Sequence, residues 1–239
     1  MKNIFLFIYF IFISIGFSVA QNTFLKSYSA GYACWGTQVI EAFDSGLVMT
    51  GYVHNQAGNP DDIYVLKTNY NGDTIWTKLL DFIDAKCYSI SQTSDSGFIL
   101  SGSLFDSLYQ NVAYLLKINS GGSTIWMKCF FINYNAKGFS ALQTLDGGYL
   151  LAGEFDTTGG AGRSFFIKTD SVGNVQWKKK IICGQINTAN KVLQNPDGSL
   201  IFYGSYQAGV YCMKMDTAGS LIWAKVYATG NPPGNINLG

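Results

Sequence analysis

A repeat of about fifty residues runs along this chain of 239 residues and limits what it can fold into. Its first landmark is an Asp that opens a turn, and its second is a Gly seven residues later. The Asp series is Asp44, Asp95, Asp146 and Asp197, and the Gly series is Gly51, Gly102, Gly153 and Gly204, each with a step of 51 residues. A period of this size is typical of a solenoid, a propeller or an array of domains.

A second set of landmarks keeps the same phase. In each copy a Gly is followed four residues later by a Trp, and a Lys follows two residues after the Trp. The four sets are Gly72/Trp76/Lys78, Gly122/Trp126/Lys128, Gly173/Trp177/Lys179 and Gly219/Trp223/Lys225. The apolar runs between the landmarks are short and are separated by Gly, Asn, Asp and Ser, which predicts many short strands joined by tight turns.

The third copy shows how the strands are expected to lie within one unit. Four strands are predicted at 139–144, 149–153, 164–169 and 175–179, so that each copy forms a four-stranded antiparallel sheet. Asp146 is expected to form the first turn through its own side chain, and Gly173 to adopt the positive φ of the last turn. A calcium site is disfavoured, because each turn offers one carboxylate where calcium takes about six to eight oxygen ligands.

The second strands are apolar on both faces, as in Phe98-Ile99-Leu100, Tyr149-Leu150-Leu151 and Leu200-Ile201-Phe202. Continuous apolarity predicts sheets that are covered on both sides. The chain is therefore predicted to be all-β, a β-propeller built of four-stranded antiparallel blades, with about four blades present in an incomplete or open ring. The recurrent Trp is expected to lie between neighbouring blades, and Trp126→Ala is expected to cost about 3 to 5 kcal/mol.

The blades are predicted at approximately 34–79, 87–129, 138–180 and 189–227. Phe24 and Lys26 stand in the phase of the Trp and the Lys, which predicts an extra outer strand at 21–28 that lacks its own first three strands. Residues 228–239 are expected to begin a further, truncated repeat. We therefore hypothesise that the chain is the N-terminal part of a longer protein.

Residues 1–20 have the pattern of a secretory signal peptide. A single Lys2 precedes an apolar run from Ile4 to Phe17, and small residues follow at Ser18 and Ala20. The run of about fourteen residues is shorter than the roughly twenty that span a bilayer, so cleavage before Gln21 is favoured over a membrane anchor. The remaining chain, 21–239, has fifteen basic and fifteen acidic side chains, a balance that disfavours nucleic acid as a partner. We expect a secreted or cell-surface protein with no membrane span after cleavage.

The repeat resembles the propeller repeats of secreted Bacteroidetes-type bacterial proteins, which often carry a type IX sorting domain. The resemblance rests on the pattern from Gln143 to Gly153, on Phe166 to Asp170, and on Gly173 with Trp177. The Asp-x-x-Gly-x-x-x-Trp part is also distantly similar to the blade motif of quinoprotein dehydrogenases. The resemblance covers about 24–225 and implies the fold and secretion rather than an activity.

Residues that could act in catalysis or bind a metal or cofactor are few and scattered. The chain has one histidine, His54, which is expected to be a loop residue, and the glycines at 159–162 before Arg163 are interpreted as a flexible loop rather than a phosphate cradle. The carboxylates that follow second strands are Asp61, Asp62, Asp106, Glu154 and Asp156, and a facing pair of them would be needed for a glycosidase. No catalytic, cofactor-binding or metal-binding residue is predicted, and no cofactor is expected.

The five cysteines occupy different phases of the repeat and form no close pair. They are Cys34, Cys87, Cys129, Cys183 and Cys212. One or two disulfides and buried free thiols are both compatible with this spacing in an exported protein.

The loops after the second strands and the segments between blades vary among the copies, and in a propeller both sets lie on one face. Neutral drift explains such variation, and so does ligand binding. If the face binds a ligand, carbohydrate or protein, the candidates are Tyr109, Asn133, Tyr134 and Asn135. We therefore expect a non-catalytic secreted propeller that acts as a binding or structural module. The alternative is an enzyme, either a quinoprotein-like oxidoreductase or a glycan-active hydrolase.

Overall fold

A computed structural model describes residues 25–29, 33–54, 61–82, 84–106, 110–157, 162–181, 187–206 and 209–228. These ranges contain sixteen β-strands and no helix, and therefore no helix that could cross a membrane. The strands form four sheets of four antiparallel strands, each sheet in chain order. The all-β prediction is confirmed: the four sheets are propeller-like blades, and they do not close into a ring. The predicted signal peptide, 1–20, and residues 229–239 lie outside the described ranges.

The four blades follow one another along the chain. Blade 1 comprises β1 (Ala33–Glu41), β2 (Leu47–His54), β3 (Asp61–Thr68) and β4 (Thr74–Leu80). Blade 2 comprises β5 (Lys86–Gln92), β6 (Phe98–Phe105), β7 (Asn111–Ile118) and β8 (Thr124–Phe130). Blade 3 comprises β9 (Tyr134–Gln143), β10 (Tyr149–Asp156), β11 (Gly162–Thr169) and β12 (Val175–Lys180). Blade 4 comprises β13 (Asn187–Gln194), β14 (Leu200–Tyr206), β15 (Gly209–Met215) and β16 (Leu221–Ala228).

Each blade packs its first strand against the preceding blade. β5 contacts β1, β2 and β3, β9 contacts β5, β6 and β7, and β13 contacts β9, β10 and β11. The first strands therefore lie at the edge where the blades converge, and the fourth strands lie at the edge where they diverge. Three apolar clusters fill the three junctions, one between each pair of successive blades.

The second strands are covered on both faces only in the two central blades. Phe98 to Ser103 of β6 and Tyr149 to Gly153 of β10 are buried without interruption. In β14, by contrast, Ile201 is half-buried and Tyr203 is 46% exposed. The prediction of two-sided burial is wrong for the fourth copy, because its outer face has no sheet against it in the described part of the chain.

The repeated Asp residues form turns, as predicted. In each blade the Asp Oδ1 accepts the backbone N–H of the residue two positions later, at 2.9 to 3.2 Å. The repeated Gly in the second strand is required for a different reason: the backbone of the first strand approaches it closely at a β-bulge. A Cβ on Gly153 would lie 1.9 Å from the carbonyl oxygen of Lys137.

Three of the recurrent tryptophans, Trp76, Trp126 and Trp177, lie at the outer edge of the junctions in contact with the next blade, whereas Trp223 has no described blade against it. Trp126 packs edge-on against Tyr149 of blade 3, with ring centroids 5.4 Å apart. A Cβ on Gly173, which has φ +84°, would lie 3.2 Å from the Trp126 ring, so glycine is required by both conformation and space. This placement between blades confirms the sequence prediction, although the indoles are half-buried rather than enclosed.

Half of the outer strand predicted at 21–28 lies outside the described residues, and the described segment 25–29 has no strand assignment. None of the four described sheets includes this segment. Its position nevertheless follows the repeat: Lys26 forms an ion pair with Asp73, and the Tyr28 hydroxyl donates to the Gly72 carbonyl at 2.6 Å. Residues 25–28 thus contact the last turn of blade 1. Trp126 and its strand contact the last turn of blade 3 in the corresponding way.

Candidate functional site

The antiparallel order places two kinds of connection at one end of every blade. The connections between second and third strands lie at the same end as the segments that join one blade to the next. We call this end the loop end, and the opposite end, with the tight Asp turns, the turn end. The described strand ends that border the variable segments of the sequence therefore share the loop end.

A cluster at the loop end of blades 1 and 2 combines aromatic and ionisable side chains. We call it the aromatic–histidine site, and its members are Trp35, Tyr52, His54, Asp61 and Lys86. β-Pairing brings four of them together, since Trp35 lies opposite Tyr52 and His54 lies opposite Asp61. Lys86 arrives from blade 2, at the start of β5.

Trp35 and Tyr52 form the aromatic part of the site. Their rings are stacked, with centroids 5.3 Å apart and an interplanar angle of 18°. The His54 ring meets Trp35 edge-on, with centroids 6.1 Å apart. Because Trp35 is 46% exposed, part of the indole remains available to a ligand.

Asp61 is the polar centre of the site. Its carboxylate is nearly buried and accepts from His54 Nδ1 at 2.7 Å and from Lys86 Nζ at 3.1 Å. The backbone N–H of Asp61 donates to Asp84 Oδ1 at 3.2 Å, which ties the inter-blade segment to the site. Burial would lower the pKa of Lys86, but the hydrogen bond and the charge of Asp61 raise it above its ordinary value, so Lys86 stays cationic.

The bond to Asp61 orients the imidazole of His54. With Nδ1 held by the carboxylate, Nε2 is the ring nitrogen left for a ligand, and about half of the side chain is exposed. His54, predicted to be a loop residue, is the last residue of β2. Sequence reasoning did not link it to Asp61 and Lys86, since the three come from different strands and two blades.

A second group of polar contacts braces the loop end of blades 3 and 4. Glu154 accepts from Lys137 at 3.1 Å and from Thr188 of blade 4 at 2.8 Å. Asn135 donates to Asp156 at 3.1 Å. These side chains satisfy one another, so the arrangement stabilises the blades and offers no facing pair of free carboxylates.

The residues proposed from the sequence as ligand contacts have different environments. Tyr134 is 47% exposed at the start of β9 and remains a candidate. Asn133 accepts from Lys180 at 3.0 Å and Asn135 is engaged by Asp156, so both have structural roles. Tyr109 and residues 159–161 lie outside the described residues.

Among the remaining carboxylates, Asp106 accepts the backbone N–H of Gln110 within its own connection. Asp62 follows Asp61 in β3 and points to the opposite face of the sheet. In the described ranges no three His, Cys, Asp or Glu side chains come together in a way that would hold a metal. Gly162 and Arg163, expected in a loop, begin strand β11.

The four described cysteines are free thiols. Cys87 is fully buried between blades 1 and 2, and burial raises its pKa to about 11. It therefore behaves as a small apolar side chain rather than as a nucleophile. Cys183 lies outside the described residues.

A groove of about 420 Å³ lies at the turn end, between blades 1 and 2. Its walls include Asp44, Lys67 and Gln92. Asp44 and Lys67 are bonded to each other, and Gln92 accepts the N–H of Phe43. These three polar side chains are thus occupied by contacts that hold the repeat together, and we place the candidate site at the loop end.

Comparisons with known proteins leave the family open. No family model and no curated protein matches the chain. One solved structure, described as a eukaryotic initiation factor, superposes with a TM-score of 0.39 at 10% sequence identity, over 81% of this chain and 44% of that chain. The chain spans less than half the length of that structure, and a similarity at this level carries no argument about function.

Proposed function

We propose that the chain is a secreted, non-catalytic propeller-like module that binds carbohydrate through the aromatic–histidine site. The observation that carries the proposal is the half-exposed Trp35, stacked on Tyr52 beside His54 and Lys86. A sugar ring presents C–H groups on its face and hydroxyl groups at its rim. An indole suits the face, and oriented nitrogen groups suit the rim.

The polar groups of the site support a hydroxylated ligand more than a strongly anionic one. The charge of Lys86 is largely balanced by Asp61 at 3.1 Å, so the site has little excess positive charge. Lys86 Nζ can still donate to a hydroxyl, and His54 Nε2 can donate or accept according to its tautomer. Export is supported by the pattern of residues 1–20 in the sequence.

A glycan array with the purified chain tests the proposal. We expect the native protein to bind a subset of glycans and Trp35→Ala to lose that binding. The matched control is Trp223→Ala, because Trp223 is also partly exposed, at 36%, but lies on the far side of blade 4. The control is expected to bind as the native protein does, and melting curves of both variants check that they fold.

Three results would overturn the proposal. They are a native protein that binds no glycan, a Trp35→Ala variant that binds like the native protein, and binding that Trp223→Ala abolishes. Shortening of a bound glycan during incubation would instead favour the hydrolase alternative.

A further inference from the structure

The three junctions between blades share a set of contacts that recur at the repeat spacing. The first is a hydrogen bond across the junction, in which the side-chain Oε1 of a Gln at the end of a first strand accepts the backbone N–H of a turn residue of the preceding blade. The bonds join Gln92 to Phe43, Gln143 to Ser94 and Gln194 to Leu145, at 2.7 to 2.8 Å.

The second contact runs in the opposite direction. A side chain on the first strand of one blade accepts a backbone N–H from the first strand of the next blade. The bonds join Gln38 to Ile90, Ser89 to Ala141 and Ser140 to Val192, at 3.0 to 3.4 Å. Each acceptor satisfies a donor that the junction removes from water.

The third contact is steric. The residue of the second strand that lies opposite this acceptor is small in the first three blades, and the next blade covers it completely. These residues are Thr50, Ser101 and Ala152, each no more than 1% exposed.

Blade 4 departs from the repeat at all three positions. Pro196 stands where Phe43, Ser94 and Leu145 donate, and proline has no backbone N–H. Lys191 replaces the acceptor, and an ammonium group cannot accept a hydrogen bond. Tyr203 replaces the small residue and is 46% exposed.

We propose that the outer face of blade 4 is a terminal face, chemically unable to take a further blade of this repeat or the first blade of a second copy. Each departure removes one of the three contacts. Pro196 would leave the glutamine acceptor of an incoming blade unsatisfied, Lys191 would leave a backbone donor unsatisfied, and Tyr203 would place a phenol ring in the space of the incoming strand. The open face of blade 1 differs from that of blade 4. At the end of its first strand Glu41 stands where the other blades have Gln92, Gln143 and Gln194, so an acceptor is kept there.

The side chains on this face are consistent with exposure to solvent. Lys191, Tyr203, Cys212 and Lys225 form one cross-strand row, with a lysine at each end. Of the two lysines only Lys191 distinguishes this face, because Lys225 takes the position of Lys78, Lys128 and Lys179 in the blades that stack. A charged side chain at the centre of a face disfavours its stacking on an apolar sheet. Cys212 is partly exposed, whereas the residues in its position in the first three blades are fully buried. Those residues are Val65, Leu115 and Phe166.

Cys212 provides the probe for a direct test. A copy of residues 182–228, the unit that normally docks on blade 3, is joined after Ala228, with Ser replacing the cysteines of the added copy. The fusion is made in the native background and in a background with Lys191→Ser, Pro196→Leu and Tyr203→Ala, which are the residues of blade 3 at these positions. Labelling of Cys212 with a maleimide is followed by peptide mapping, with buried Cys87 as the internal control.

In the native background we expect the added unit to leave Cys212 as reactive as in the unfused chain. In the substituted background we expect docking to slow its labelling by about tenfold or more, because a covered thiol reacts only after local opening. Protection of Cys212 in the native fusion would overturn the proposal. Failure of the three substitutions to produce protection would also overturn it, since these side chains would then not be the cause.

Discussion

At the scale of single residues, one ion pair recurs in every blade. A Lys near the end of the third strand reaches the Asp of the first turn. The pairs are Lys67–Asp44, Lys117–Asp95, Lys168–Asp146 and Lys214–Asp197, at 2.5 to 3.3 Å. Each Asp thus has a second role besides the turn, since it neutralises a cation held at the end of the sheet.

The substitution Asp95→Asn isolates this second role. An asparagine keeps the oxygen that accepts the Gly97 N–H, but it leaves the Lys117 side chain, only 4% exposed, without its counter-charge. Because the carboxylate itself is half exposed, we expect a loss of about 1 to 2 kcal/mol in the free energy of unfolding, measured by urea denaturation. The control is Asp197→Asn, where Lys214 is 24% exposed and can recover water. An equal or larger loss in the control would contradict this account.

The same pair makes stability depend on pH. Burial alone would raise the pKa of Asp95, but hydrogen bonds from Thr93 and Lys117 outweigh it and lower the pKa to about 2. A carboxyl whose pKa is lower in the folded state stabilises the fold above its unfolded pKa, near 3.9, and loses that contribution as the pH falls through 2. The native protein is therefore expected to lose more stability between pH 5 and pH 2 than Asp95→Asn does.

At the scale of elements, the fourth strand of one blade supports the last turn of the next through its Trp. Trp76 Nε1 donates to the Ser120 carbonyl at 3.0 Å, and Trp177 Nε1 donates to the Thr217 carbonyl at 3.1 Å. The indole thus contributes packing and a hydrogen bond to a turn about forty residues away. This contact explains why the Gly and the Trp keep their phase together.

The substitution Trp126→Ala tests this support. Because Trp126 is half-buried rather than enclosed, we expect a loss of about 3 kcal/mol, the lower limit of the sequence-based prediction. Trp223→Ala is the matched control, since no blade covers Trp223 among the described residues, and it should change the melting temperature little. Similar melting shifts for the two variants would show that the contact with the next blade is not what stabilises the fold.

The strands are longer at the loop end than their apolar runs suggest. β10 was predicted to end at Gly153 but continues to Asp156, and β9 begins at Tyr134 rather than Phe139. The extra residues alternate between polar and apolar: Glu154 pairs with Lys137 across the strands, while Phe155 and Ala136 are buried between blades 2 and 3. A continuous apolar run marks only the central part of each strand, and Lys137 and Glu154 interrupt it, so the run alone ended these strands too early.

At the scale of the whole molecule, the two central blades differ from the two outer ones. β6, β7, β10 and β11 lie within sheets covered on both faces, whereas blades 1 and 4 each have one face that no blade covers in the described ranges. Local opening is easiest where few buried contacts oppose it. The stack should therefore be most stable at its centre.

Amide hydrogen exchange measures this gradient. We expect the slowest exchange in β6, β7, β10 and β11, and faster exchange in β14 and β15, although all these strands are hydrogen-bonded on both sides. Because β14 and β15 are interior strands of their sheet, they serve as the matched comparison for the central ones. Equal protection across the four blades would contradict the gradient and would indicate that the outer faces are covered in solution.

The sequence by itself determined the all-β class, the four-stranded unit and the turn positions, because turn chemistry and strand periodicity are local properties that the repeat displays four times. Only the tertiary structure decided which faces are covered and which side chains meet. Leu200 to Phe202 has the apolar pattern of a two-sided strand, yet its outer face is open. His54, Asp61 and Lys86 converge because two blades stack, and stacking depends on long-range packing that no local pattern records.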